Sequence, residues 1–327
     1  MKDSVIRTIL SNIKLFFTTN IKRKIKEDAS RIAKLEAVSE GLDEAMSAKY
    51  HYLSLMEYYA LHESEAEPYR KEIEYLRQSG KYSHFPYETD EDSIGGESGF
   101  DEMARLPFVV HKGKRLYFPP DCAKKDALEC YRYYLGLEKL LGEEEEEGAP
   151  HRYQSPRIHV SEGDVVFDIG AAEGLFALDQ LDKASHIVVV ENNPHWLEPL
   201  KHTFAPYGDK VTLIQKYVSV SDSETTISLR KLLSDFDSPS TFVKMDIEGC
   251  ELSSLVSAEA FLKQKKGMKL AVASYHKQHD AEELKAIFDR LGYYSEFSKG
   301  YMLFHWYDTP VPPYFRHGMV RAKNKEV

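Results

Sequence analysis

The sequence predicts an α/β protein: a Rossmann-like doubly wound sheet in the second half of the chain, preceded by an N-terminal helical region and a small β-hairpin. Three observations carry this. Residues 165–167 are a short apolar run that ends at Asp168, and Gly170 and Gly174 bracket the turn that follows. Leu175, Phe176 and Leu178 then return at helical spacing. Two more apolar runs, His186–Val190 and residues 242–245, are each closed by an acid, Glu191 and Asp246. Strands buried on both faces read as continuous hydrophobic runs, and their alternation with helical patterns marks βαβ units.

In chain order, residues 1–26 carry Ile6, Ile9, Leu10, Ile13, Phe16 and Phe17 at helical spacing, among seven lysines and arginines. Polar residues interrupt the apolar run and no small-residue cleavage site follows, so this is not a secretory signal. Such a helix either lies on a membrane surface or packs on protein; packing is the expectation and peripheral membrane contact the lesser reading. Residues 27–59 read as a long helix. Ile25, Ile32, Met46 and Leu53 repeat at heptad multiples, and Asp28, Ser39 and Lys49 break the pattern. That predicts a helical hairpin or an arm through which copies of the chain associate.

A second helix is expected over residues 67–78, with Pro68 in its first turn and Gly80 past its end. Residues 85–99 read as a Gly- and acid-rich linker. The expected organisation is a helical arm and linker (1–99), a hairpin and helix (100–154), and the cofactor-binding catalytic domain (155–327). On that plan, deleting residues 1–90 leaves a folded, ligand-binding remainder.

Residues 106–118 form two apolar runs around Lys112-Gly113, a hairpin stopped by Pro119-Pro120. Residues 126–141 read as helix, and the glutamates at 143–147 as a solvated end. His151-Arg152-Tyr153 follow Pro150 just before the first large strand, where a segment either closes over a substrate or makes a surface turn. The three cysteines, Cys122, Cys130 and Cys250, show no metal-ligand spacing. They predict free thiols, a reducing, cytoplasmic setting and no metal. A formal charge of −10 argues against nucleic acid as main partner, and no apolar run reaches the ~18 residues of a membrane span.

The first turn, D-x-G-x-x-x-G, departs from the dinucleotide pattern G-x-G-x-x-G. Ala171 and Ala172 leave little room for a pyrophosphate, and Asp168 repels one. The loop instead suits a sulfonium-bearing ligand, S-adenosyl-L-methionine rather than NAD. Asp168, Gly170, Ala171, Ala172, Glu173 and Gly174 are the expected cradle. Glu191, with Asn192 beside it, ends the second strand where an acid accepts hydrogen bonds from ribose hydroxyls. Pro194 opens a helix with Trp196, Leu197 and Leu200 on its core face. A third strand covers residues 211–214, Val218 follows beside the expected adenine position, and residues 225–229 suggest an extra strand pair.

The fourth strand runs into Lys244-Met245-Asp246-Ile247-Glu248-Gly249-Cys250-Glu251. Alternation puts Lys244 and Asp246 on one face. The acids either face a ligand, Asp246 among the cofactor contacts, or favour the next helix N-terminus. A fifth strand (270–274) leads to Tyr275 and His276, and Asp280 is expected to cap the following helix. Residues 293–297 and 301–306 suggest a hairpin around Lys299-Gly300, and residues 309–327 a Pro-rich, then basic, tail.

The first turn, Glu191 with Asn192-Asn193-Pro194, and the 244–251 run occur in order and together resemble the FkbM family of S-adenosylmethionine-dependent methyltransferases, of the class I methyltransferase fold. The resemblance covers about residues 155–310. Asn192 stands where many relatives have Pro, and Cys250 where many have Ala. The resemblance implies O-methylation of a hydroxyl on a sugar, glycan or other small acceptor. An alcohol is a weak nucleophile that a general base assists. His276, beyond the fifth strand on the ligand edge, is the expected base, with Asp246 and Glu248 orienting it or binding the acceptor. The alternative is a non-catalytic methyltransferase-fold module for cofactor binding or assembly.

Overall fold

The computed structural model describes residues 24, 45–88, 94–122, 124–139, 149–304 and 310–324. Apart from Lys24, the basic amphipathic segment and the first part of the expected long helix lie outside them. So does the glutamate run at 143–147. Among the described residues no helix is long and apolar enough to cross a membrane.

Helix α1 (residues 45–61) is followed by α2 (Glu63–Ala66) and α3 (Arg70–Ser79). Leu55 and Tyr59 of α1 and Ile73 and Leu76 of α3 lie one helical turn apart, so each pair shares a face. Both faces bury against Leu303 and Phe315, far along the chain. Leu303 N–H donates to the His84 carbonyl at 2.9 Å, and Tyr301 N–H to the Tyr87 hydroxyl at 2.6 Å. These contacts tie α1 and α3 to residues 301–315. Deleting residues 1–90 uncovers Leu303 and Phe315, so the expected outcome is a loss of soluble yield and of cooperative melting. A remainder that melts as one sharp transition refutes this.

Strands β1 (Glu97–Asp101), β2 (Leu106–His111) and β3 (Lys114–Tyr117) form a small antiparallel sheet, followed by α4 (Lys124–Lys139). The hairpin is where the sequence predicts it. The third strand comes from residues read as linker, because Gly99 lacks a side chain. A Cβ there would lie 2.4 Å from the Phe108 ring, which lies across it.

The large sheet has seven strands in the order β11-β12-β10-β9-β4-β5-β6. They are β4 (Val165–Ile169), β5 (His186–Val190), β6 (Val211–Ile214), β9 (Thr241–Met245), β10 (Met268–Ala273), β11 (Tyr294–Phe297) and β12 (Met319–Lys323). β6, β5, β4, β9 and β10 are parallel neighbours, and β12 runs antiparallel between β10 and β11. Strand alternation sends Val166 and Phe242 to one buried layer, shared with α5 (Leu175–Gln180) and α6 (Pro194–Phe204). It sends Phe167, Ile169 and Val243 to the other, with α7 (Leu229–Asp235), α8 (Glu251–Gln264) and α9 (Asp280–Leu291). β7 (Tyr217–Ser219) and β8 (Thr226–Ser228) pair beside the sheet. This is the doubly wound α/β fold of the prediction.

One element differs. β11 does not pair with residues 301–304, the part of the expected second arm among the described residues; its partner is β12, drawn from the stretch read as a basic tail. Arg321 hides that strand in the sequence. It is buried by donating to the carbonyls of Gln154 (2.9 Å) and Phe297 (3.3 Å). Asp280 opens α9 as its first residue, and its carboxylate reaches back to accept from Lys277 N–H at 2.8 Å.

Candidate functional site

The carboxyl ends of β4, β5, β9 and β10 meet at one sheet edge, where ligands of open α/β sheets bind. Gly170 has φ +72°, and a Cβ on it would lie 1.8 Å from the Asp246 carbonyl oxygen. The loop after β4 and the end of β9 therefore touch backbone to backbone, and only glycine permits it.

Asp168 is fully buried and lines neither cavity described below, contrary to its expected contact with the ligand. Its Oδ1 lies 3.0 Å from Lys244 Nζ, and its Oδ2 accepts from Ala177 N–H at 3.2 Å. Alternation along β4 turns it toward α5, so it fixes the loop from beneath. Gly174 also stands back from the cavities. It adopts φ +84° and lets Leu200 approach within 2.7 Å of where a Cβ would be. Lys244, likewise buried, donates to the Gly170 carbonyl and lies over the Tyr153 ring.

Glu191 ends β5 with both carboxylate oxygens engaged. Oε2 accepts from Ala172 N–H at 2.9 Å, and Oε1 from Asn192 (2.8 Å) and Asn193 (2.7 Å). It borders a cavity of about 410 Å³ with Gly170, Asn192, Val218 and Ile247. Trp196, expected in the core, lies on this wall half-buried, edge-on to Phe118 and Tyr134.

A second cavity of about 370 Å³ adjoins it. Gly170, Ala172, Asp246 and Glu248 border both, while Ala171 and Glu173 border only the second. At its floor Asp246 accepts from His151 Nε2 at 3.2 Å, Tyr153 hydroxyl at 3.1 Å and Tyr275 hydroxyl at 3.3 Å. Burial pushes the Asp246 carboxyl up, but the His151 hydrogen bond and the nearby His276 and Lys244 charges outweigh it and hold it well below the usual carboxylate range. Burial and the Asp246 charge push the Tyr275 phenol well above its ordinary value. Glu248, with φ +59° and its side chain 68% exposed, stands where the two cavities share a wall.

His276 does not take the expected place. It is fully buried and borders neither cavity. Tyr275 faces the cavity and the next side chain turns away. His276 Nδ1 lies 3.2 Å from Glu251 Oε1, and Nε2 lies 3.5 Å from both Asp246 and Glu248. Burial lowers its pKa, but the Glu251 hydrogen bond and the three carboxylates raise it to about 9. At neutral pH it is an imidazolium with no nitrogen left to accept a proton, which removes it as general base. Asp246, Glu251 and His276 bring ligand-type atoms within 4.8 Å of one another. Both ring nitrogens of His276 face carboxylates. Arg316 fixes this corner by donating to the carbonyls of Tyr275 (2.9 Å) and His276 (3.1 Å).

A sign follows for stability. The folded-state pKa of His276 lies above its ordinary 6.5, so its contribution is complete below that value and is lost as pH rises through about 9. In melting curves, wild type is expected to exceed His276→Gln at neutral pH and to converge on it above about pH 9. A pH-independent gap contradicts the imidazolium.

The histidine that borders the second cavity beside Asp246 is His151, which sequence reasoning left between a closing segment and a surface turn. Pro150 before it was the only signal. His84, Phe85 and Phe304 also border the second cavity. Nothing in their local sequence marked them, since they come from both ends of the chain.

No family model matches the chain, and no curated protein matches it. Among solved structures it is similar to the precorrin-6y C5,15-methyltransferase from Geobacter metallireducens GS-15: 15% identity, TM-score 0.36, covering 52% of this chain and 84% of that one. It is similar to a precorrin 8W decarboxylase from Methanobacterium thermoautotrophicum at 15% identity and TM-score 0.33, over 50% of this chain and 81% of that one. An rRNA methylase from Streptococcus thermophilus gives 14% identity and TM-score 0.32, over 50% and 89%.

Proposed function

We propose that this chain is an S-adenosyl-L-methionine-dependent O-methyltransferase acting on a small hydroxylated acceptor. One observation carries the reading: two cavities meet at Asp246, one bordered by Glu191 and the other by His151. The donor set fits the cofactor. Glu191, whose Oε2 accepts a single backbone N–H, would accept from a ribose hydroxyl, and Val218 and Ile247 would form an apolar wall for a base. Glu173, Asp246 and Glu248 favour a sulfonium over a phosphate. Lys244 is committed to Asp168, and Lys216 donates to the Ser223 carbonyl.

When bound, the cofactor supplies a methyl group: the acceptor oxygen bonds to its carbon as the carbon–sulfur bond breaks, and that electron pair stays on sulfur. The residues of the chain do the rest. Asp246, held ionised, favours the His151 tautomer with hydrogen on Nε2, so Nδ1 is left to take the acceptor's proton. Tyr153 and Tyr275 keep Asp246 in place. The net charge of −10 favours a small molecule over nucleic acid as acceptor. Calorimetry with S-adenosyl-L-methionine, followed by a methyl-release assay on hydroxylated acceptors, tests the proposal. Binding without release on any acceptor supports the non-catalytic module instead; no binding refutes both.

A further inference from the structure

We propose that the acceptor is a planar phenol with a neutral or positively charged substituent, rather than a sugar or an acidic phenol. This sharpens the methyltransferase reading and rests on it.

The walls of the second cavity on either side of Asp246 are ring faces whose polar ends are already spent, and Tyr133, Tyr134 and Phe85 add further rings to its lining. Tyr153 and Tyr275 both direct their hydroxyls to Asp246, so carbon surface is what they offer a ligand. Tyr153 meets Phe176 edge-to-face with centroids 5.4 Å apart, and Tyr275 meets Phe304 likewise at 5.0 Å. His151 leans on both tyrosines, at 5.2 and 5.5 Å. Aromatic rings favour offset or edge contacts with further rings. A pyranose would need a hydrogen-bond partner for each hydroxyl it buried, and each one left unmade is costly. The volume of about 370 Å³ suits one ring with a short tail.

Charge sets the tail. Glu173, Asp246 and Glu248 border the cavity, and Lys244, the lysine on its wall, is buried against Asp168 and the Gly170 carbonyl. A carboxylate on the acceptor meets repulsion, and an ammonium meets attraction. The chemistry agrees. A phenol, with a reference pKa of about 10, loses its proton to His151 more readily than an alcohol does. That proton goes to His151 as the ring oxygen bonds to the methyl carbon, leaving a neutral aryl methyl ether and the neutral thioether of the donor.

The test uses the full chain and four probes: 4-methylphenol, tyramine, 4-hydroxyphenylacetate and methyl glucoside. Cofactor binding is measured first by calorimetry. Saturation-transfer NMR then reads probe binding without turnover, and methyl release gives kcat/KM. Tyramine and 4-methylphenol are expected to bind and to exceed the other two by about tenfold or more in kcat/KM. Phe304→Leu is expected to raise KM for 4-methylphenol with kcat little changed, while cofactor affinity holds. A preference for 4-hydroxyphenylacetate overturns the charge assignment, and a preference for the glucoside, or no phenol bound by a chain that binds cofactor, overturns the phenol assignment; neither touches the methyltransferase reading. Failure to bind cofactor overturns the methyltransferase reading and this inference with it.

Discussion

Glu191→Ala is expected to lower the affinity for S-adenosyl-L-methionine by roughly 10²-fold or more, since hydrogen bonds to a charged group contribute about 1.5–3 kcal/mol each. The carboxylate stands at the end of β5 and borders the 410 Å³ cavity. It also holds the first loop in shape through Ala172 N–H and turns the chain toward α6 through Asn192 and Asn193. The alanine therefore removes the ribose acceptors and loosens the loop that faces them. Glu191→Gln separates the two effects. It keeps acceptor capacity on one atom, so affinity is expected to fall between wild type and alanine. Calorimetry is the measurement, and equal affinity in all three proteins would remove Glu191 from the cofactor site.

His151→Ala is expected to cut turnover by about 10²-fold or more, the usual contribution of a positioned general base, with cofactor affinity nearly unchanged. His151 borders the acceptor cavity only and reaches Asp246 at 3.2 Å, on the side away from Glu191. His276→Ala is expected to behave oppositely. It removes a buried imidazolium from between Glu251 and Asp246, leaving two carboxylates facing each other without it. Its loss therefore appears in melting temperature before it appears in rate. Steady-state kinetics and melts on the two variants side by side decide the assignment. If the His276 variant loses turnover while its stability is kept, and the His151 variant retains turnover, the roles are reversed.

The βα framework was legible because it depends on local signals. Runs closed by Asp168, Glu191 and Asp246 place three strands, and Gly170 marks a turn where a Cβ cannot fit. Which way a side chain faces beyond a strand was not legible. Tyr275 and His276 are adjacent, and only the path of the loop, fixed by Arg316 from forty residues away, turns the first toward the cavity and the second away from it. The same holds for Asp168, which reads as a ligand contact until alternation along β4 is set against the position of α5. Walls assembled from distant segments were invisible for a simpler reason. His84, Phe85 and Phe304 have nothing in common in the sequence except their meeting place.

The placement of β12 bears on how the chain acquires its site during synthesis. It is among the last segments described, yet it occupies an interior position, paired with β10 on one edge and β11 on the other. Until residues 319–323 have left the ribosome, β11 has no strand beside it and β10 shows an open edge of backbone donors and acceptors, a ready template for the wrong partner. Arg316, just upstream, donates to the carbonyls of Tyr275 and His276. A chain released before Met319 carries every motif of the proposed cofactor site on strands that adjoin one another, β5, β4, β9 and β10, but leaves β10 with a bare edge and β11 without a place in the sheet.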